Sequence, residues 1–321
     1  MAKKVLSAFL LSLVTFALFE ASLSAFDLPR DDACRVPAQG VWLEDPELGP
    51  TLRPGADIGS AVVNELGLRG PVLPREKEAQ TYRVLFIGDS TVFGLGLPLE
   101  ETFAHLATSQ IGELAPGRHS EYLLGATPGW TSFQSRILLD RLLPYRPDLV
   151  VFYVGARNDP DRARYFKDSA WPARQARRQA AWHDVRTLRA LEFITDTLWK
   201  KWLRRLRPRT WQARVPPDEF EANMKAMLDA TRRAGVPAIV LLPPYSESLI
   251  AHQRIIPYYQ EILRETAVAY GAPHTELQRI FAQHEESALY FGDGIHPSAL
   301  GHQLIADEIV RVARESSLAP H

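Results

Sequence analysis

Two groupings in this chain have the residue types and spacing for nucleophilic chemistry: a serine in a glycine-rich turn, and an aspartate three residues ahead of a histidine. The serine is Ser90, in Gly88-Asp89-Ser90-Thr91, directly after Arg83-Val84-Leu85-Phe86-Ile87 and ahead of Phe93-Gly94-Leu95-Gly96. The apolar run reads as a strand, so Ser90 falls just past a strand's carboxyl end. Taken alone it suits a helix N-cap or turn equally well. The turn also lacks the Gly-Lys-Ser/Thr ending that a phosphate loop requires. The second grouping is Asp293-Gly294-Ile295-His296-Pro297, followed by a helical pattern. There the carboxylate can orient the imidazole while the opposite ring nitrogen faces a serine; a structural histidine before a helix is the plain alternative. His105, His119, His183, His252, His274, His284 and His302 read as solvated or packed.

These groups need a scaffold that gathers strand ends. Strands are expected over Tyr82 to Ile87, Glu121 to Leu124, Leu149 to Val154 and Ala238 to Leu242. Apolar residues at three- and four-residue spacing predict helices over Glu101 to Leu114, Ser132 to Leu143, Glu219 to Ala234, Arg254 to Tyr270 and Ser298 to Arg314. The alternation predicts an α/β fold with a mostly parallel sheet covered on both faces and a site beyond the carboxyl ends of its strands. Residues 27–80, rich in Pro and Gly, read as an extended linker or wrap ahead of the body at 81–315. Asp161 to Val215 is too long for an ordinary loop and reads as a helical insertion over the mouth of the site.

With 321 residues, 46% apolar, and Lys plus Arg 37 against Asp plus Glu 38, the chain has an ordinary globular composition that excludes disorder and a polytopic membrane protein. The single cysteine, Cys34, allows no internal disulfide, and no Cys/His cluster has zinc-ligand spacing. Charge is uneven: Arg162 to Arg214 holds fifteen Lys/Arg against four acidic residues, and five of the seven tryptophans. There Trp199, Trp202, Leu203 and Leu206 can share a helical face ringed by Lys200, Lys201, Arg204, Arg205 and Arg207, as an interfacial helix near anionic lipid would. A solvated basic face, an anionic-glycan site and a nucleic-acid site are the alternatives, and export disfavours the last. Export is the reading of residues 1–26, where Lys3 and Lys4 precede the apolar run from Val5. An uncleaved anchor with the body on the outer side is preferred over a cleaved signal or a core helix, because Leu23 fits a cleavage site at Ala25 poorly. Glu20 would then lie near the far interface.

Gly88-Asp89-Ser90, Pro128-Gly129, Gly155-Ala156-Arg157-Asn158-Asp159 and Asp293-x-x-His296-Pro297, in that order, resemble the SGNH (GDSL-like) hydrolase family from about Tyr82 to Arg314. The apolar N-terminus with Glu20, and Asn64-Glu65-Leu66-Gly67-Leu68-Arg69-Gly70, are similar to a membrane-anchored bacterial subgroup. The resemblance implies a flavodoxin-like three-layer α/β/α fold and a serine nucleophile that cleaves esters or transfers acyl groups. It places Ser90, Asp293 and His296 in the catalytic triad, and Ser90, Gly129 and Asn158 in the oxyanion hole, with no metal or organic cofactor. Asp89 would brace the nucleophile's turn. Two departures stand out. The second motif has no Asn before Gly, so Gly125 and Gly129 compete for the amide donor; Gly129 is preferred because it follows Pro128. The third motif is one residue longer than Gly-x-Asn-Asp, which reverses the facing of Arg157 and Asn158 unless the turn bulges. A bulge that keeps Asn158 toward the nucleophile is expected. The function expected is an exported esterase or acyltransferase for acylated cell-envelope material, O-acetylated glycan or lipid ester. Its alternative is a non-catalytic envelope component that keeps the fold.

Overall fold

The computed structural model describes residues 2–26, 40–155 except 60 and 116, 157–161, 163, 167–178, 185, 187, 188, 190, 191 and 212–320. Two compact units form, Met1–Ala38 with Ala170–Trp211, and Gln39–Ser169 with Gln212–His321. Trp199, Trp202, Leu203 and Leu206 lie outside the described residues.

In chain order the elements are α1 (Ala2–Ala25), β1 (Trp42–Asp45), β2 (Gly49–Leu52), β3 (Thr81–Gly88), α2 (Ser90–Phe93), α3 (Phe103–Glu113), β4 (His119–Ala126), α4 (Ser132–Leu142), β5 (Leu149–Tyr153) and α5 (Trp171–Arg178). They continue with α6 (Pro217–Arg233), β6 (Ala238–Leu242), α7 (Glu247–His252), α8 (Ile256–Ala269), β7 (His274–Glu276), α9 (Leu277–Phe281), α10 (Glu286–Leu289) and α11 (Ala299–Glu315).

The larger unit is a three-layer α/β/α sandwich. Its main sheet has five parallel strands, in the order β4-β3-β5-β6-β7. Side chains alternate across the pleat, so a strand buried on both faces must be apolar at every position. From Val84 to Ile87 β3 meets this requirement: Val84 and Phe86 pack with Phe103, Ala107 and Ile111 of α3 and Ile305 and Ile309 of α11. Leu85 and Ile87 face the opposite layer, where Leu139 of α4, Met224 of α6 and Leu263 of α8 meet them. The chain leaves β3 for β4 on one side and returns to β5 on the other. The carboxyl end of β3 is therefore a topological switch point, where a crevice opens between diverging loops.

Three strands, β1, β2 and β7, and the short helices α7, α9 and α10 have no clear sequence signal. Residues 40–80 carry the antiparallel hairpin β1–β2 and send Leu52 and Val63 into one core layer, Leu48 and Leu68 into the other. The edge strand β7 is three residues long and pairs only with β6.

In the smaller unit α1 leaves its apolar side chains exposed, Phe9 at 61% and Leu11 at 68% among them. Its stretch Ser7–Ala25 is long and apolar enough to cross a membrane, at a mean hydropathy of 1.8. Within this unit the Glu20 carboxylate accepts hydrogen bonds from Thr187 N–H at 2.6 Å and Thr187 Oγ1–H at 2.7 Å.

Candidate active site

β3 ends at Gly88 because nothing larger fits there: a Cβ would stand 2.3 Å from the Tyr153 carbonyl oxygen and 2.4 Å from Val92 Cγ2. The close approach brings the next turn down onto β5. Asp89 then caps α2, its Oδ1 accepting Thr91 N–H at 3.0 Å. Ser90 is thereby the first residue of a helix only four residues long. The helix stops at Gly94, where φ is +72°, a left-handed conformation natural to glycine. Buried Arg69 secures this stop, donating to the carbonyls of Phe93 at 2.8 Å, Gly94 at 2.6 Å and Leu97 at 2.6 Å.

His296 arrives on the loop between α10 and α11. Asp293 Oδ1 accepts the backbone N–H of Ile295 at 2.9 Å and of His296 at 3.0 Å, which folds the loop back on itself. Asp293 Oδ2 lies 2.5 Å from His296 Nδ1, and His296 Nε2 lies 2.8 Å from Ser90 Oγ. With Nδ1–H given to the carboxylate, Nε2 carries the lone pair that accepts the serine proton. Partial burial works to raise the Asp293 pKa, but the hydrogen bonds from His296 and Ile295 outweigh it and hold the carboxyl below its ordinary value.

The other residues named from the sequence gather around this relay. Gly129 sits in the loop after β4 with φ +80°. The backbone N–H groups of Ser90 and Gly129 have no hydrogen-bond partner among the described residues. Gly125 lies inside β4, where a Cβ would stand 2.5 Å from Ile87 Cδ1. In the long third motif Asn158, not Arg157, reaches the nucleophile's turn. Asn158 Nδ2 donates to Asp89 Oδ2 and to the Trp130 carbonyl, both at 2.9 Å, while the Arg157 guanidinium pairs with Asp161. Both amide hydrogens of Asn158 are thus engaged, and Asp89 braces two loops at once. Burial pushes the Asp89 carboxyl up from its ordinary value. Arg69, by contrast, has no sequence signal beyond its place in the Asn64 to Gly70 stretch that would mark its grip on the nucleophile's turn.

Behind the site, Asp159 is wholly buried and accepts from the Ser132 N–H at 3.1 Å and from the Ser132 hydroxyl, at the start of α4. Burial pushes its pKa up to about 8. Between the ordinary value of 3.8 and about 8 the folded chain therefore holds a proton that the unfolded chain has lost, and stability falls as pH rises through that window. Asp159→Asn keeps the acceptor oxygen without the charge. The wild-type Tm should drop from pH 5 to pH 8 by about 8 to 15 °C more than that of Asp159→Asn. Parallel Tm profiles would show that Asp159 is ionised throughout.

His302 is a packing residue. Its Nδ1 accepts Phe103 N–H at 2.9 Å and its ring stacks on Phe103 at 5.3 Å. Burial lowers its pKa to about 3, so it stays neutral. Among the described residues no group of three His, Cys, Asp or Glu side chains is placed to hold a metal ion.

A glycine-bordered serine at the end of the first parallel strand, met by an Asp-x-x-His loop from the far end of the chain, defines an α/β serine hydrolase. Residues 86–304 match the GDSL-like Lipase/Acylhydrolase family, and the chain belongs to it. It is a serine hydrolase of the esterase and lipase type. Among solved structures it is similar to a lipase/acylhydrolase from Enterococcus faecalis, with 19% identity, a TM-score of 0.50, and 73% of this chain and 96% of that one covered. An acetyl xylan esterase from Geobacillus stearothermophilus is 16% identical with a TM-score of 0.48, covering 72% and 94% of the two chains. A comparison with curated proteins finds no match.

Proposed function

We propose that this protein is a membrane-anchored, outward-facing esterase or acyltransferase that acts on acylated cell-envelope material through an acyl-enzyme on Ser90. The observation that carries the chemistry is the continuous relay from Asp293 through His296 to Ser90 Oγ, beside two unengaged backbone donors. His296 Nε2 takes the Ser90 proton as Oγ attacks the acyl carbon, and the carbonyl π pair moves onto oxygen. Ser90 and Gly129 N–H groups receive that charge. Each such donor typically contributes ~3 kcal/mol to barrier lowering. Asn158 adds a third donor when one of its two present bonds yields to the oxyanion. The intermediate collapses by breaking the bond to the alcohol, which leaves with the proton from His296. Water or a second hydroxyl then attacks the acyl-enzyme by the same route and restores Ser90. Resting Asp89, Asn158 and Arg157 next to the site take no part in proton transfer.

The envelope setting is supported by α1, whose exposed apolar side chains suit a bilayer, and by Lys3 and Lys4 at its start. A carboxylate within such a helix is costly unless partnered. Glu20 has its partner in Thr187 of the insertion, which supports a second contact of that segment with the lipid interface. The basic surplus of the insertion adds attraction to anionic headgroups. The full chain should sediment with membranes and resist extraction by 1 M salt, at which exposed charge contacts are screened within about 3 Å. Residues 39–321 alone should be released. A full chain that stays in the soluble fraction with its N-terminus intact would end the anchor reading.

The activity itself is tested by labelling with a fluorophosphonate and by acetate or fatty acid released from envelope fractions, each against Ser90→Ala. Labelling with no product from any envelope fraction would leave an esterase with a different substrate. The absence of both would favour a non-catalytic component.

A further inference from the structure

The insertion leaves the larger unit at Ser169 and re-enters it at Gln212, and the two ends are joined there. Arg214 N–H donates to Asp161 O at 2.7 Å, Asp168 N–H to Arg214 O at 3.0 Å, and Ala163 N–H to Gln212 O at 2.8 Å. From this junction the Arg214 side chain reaches the loop that carries Gly129. Nη1 donates to the Gly129 carbonyl at 2.8 Å, while Nη2 and Nε hold Asp168 Oδ2 and Oδ1 at 2.8 and 3.3 Å. Asp168 is fixed in turn, since its Oδ2 also accepts the Thr131 hydroxyl at 2.9 Å and Gln134 Nε2 at 3.2 Å, at the start of α4.

Glycine at φ +80° has no side chain to restrict it, so the direction of its N–H depends on what grips the neighbouring peptides. One grip is the Arg214 guanidinium on the Gly129 carbonyl. The next peptide is gripped by Asn158 on the Trp130 carbonyl, and Asn158 is tied to Asp89 in the nucleophile's turn. Hydrogen bonds joined by the Gly129–Trp130 backbone thus connect the base of the insertion, through both oxyanion-hole loops, to the residue beside Ser90.

We propose that Arg214, locked by Asp168, is a positioning residue that holds the Gly129 amide toward the developing oxyanion. The proposal rests on the acyl-enzyme reading above. It also makes the foot of the insertion part of the catalytic geometry. The ion pair is largely shielded, with Arg214 26% and Asp168 12% exposed, so removing one partner also costs some stability, and the rate is the readout that isolates the positioning. Misdirecting a donor by a fraction of an ångström is expensive for the rate.

The test uses the full chain with 4-nitrophenyl acetate as substrate and an aryl trifluoromethyl ketone as the transition-state analogue. Ser90 Oγ adds to that ketone, its carbonyl oxygen becomes an oxyanion, and the serine proton passes to His296. Arg214→Ala should lower kcat about 30-fold with KM changed less than twofold, and weaken the ketone by a similar factor. Asp168→Asn should show the same pattern at about 5- to 10-fold. Arg214→Lys retains a donor and should recover part of the loss in both readouts. A kcat within threefold of wild type, a loss confined to KM, or undiminished ketone affinity would overturn the assignment. If Arg214→Ala does not fold, Arg214→Met, which keeps the apolar stem and has no donor, decides by the same criteria. An active wild type with an unimpaired Arg214 variant rejects this inference alone; a wild type that neither turns over ester nor takes a fluorophosphonate label rejects the acyl-enzyme reading with it.

Discussion

Ser90→Ala should lower kcat/KM for a short-chain aryl ester by about 10⁴-fold or more, and His296→Ala should do the same. The reason lies in the 2.8 Å contact between Ser90 Oγ and His296 Nε2: a hydroxyl with no base and a base with no hydroxyl are equally unable to form the acyl-enzyme. The double variant should therefore be no slower than either single one. Steady-state rates of the three variants, with fluorophosphonate labelling as the check on the nucleophile, decide the matter. A Ser90→Ala protein that keeps more than about 1% of turnover, or losses that multiply in the double variant, would place the chemistry elsewhere.

The second large effect is on folding. Gly88→Ala puts a methyl group 2.3 Å from a backbone oxygen of β5 and 2.4 Å from Val92, which is wholly buried. The oxygen belongs to Tyr153, the residue paired with Gly88 in the centre of the sheet, so it has nowhere to go. Overpacking of this kind costs about 3 kcal/mol, or a Tm lower by about 6 to 12 °C for a unit of this size. Whatever relief occurs must lift the turn holding Ser90 away from His296, so kcat should fall alongside Tm. Calorimetry and turnover on the same preparation check both parts. Unchanged values would mean that the strand end has room for a side chain.

Much of this arrangement was legible because burial on two faces forces a simple sequence signal. Val84 to Ile87 had to be apolar throughout, and the amphipathic spacing of α3, α4, α6, α8 and α11 had to follow the two layers. The third motif was legible from its residue types, and Asn158 stands at the site, with Gly155 at φ +92° ahead of it. Other parts carried no local mark. β7 has three residues, His274, Thr275 and Glu276, with too few positions for alternation to register. The β1–β2 hairpin is held by packing against the body, and its Pro and Gly content reads as loop. Arg214 and Asp168 looked like ordinary members of a charged stretch. Their meaning comes from a loop 85 residues away, a proximity that only the folded chain creates.

The order in which the parts of the relay are made follows from their places in the chain. Ser90 and His296 stand 206 residues apart, and α11, just past His296, docks on α3 through Phe103 N–H to His302 and Gln110 to Asp307. Synthesis at ~5 to 20 residues per second brings out the nucleophile at least ten seconds before its base. Until the last helix closes against the first layer, the emerging polypeptide has a serine but no means to ionise it. Competence is therefore a late event in biogenesis, and a product cut short anywhere before residue 296 is born inert.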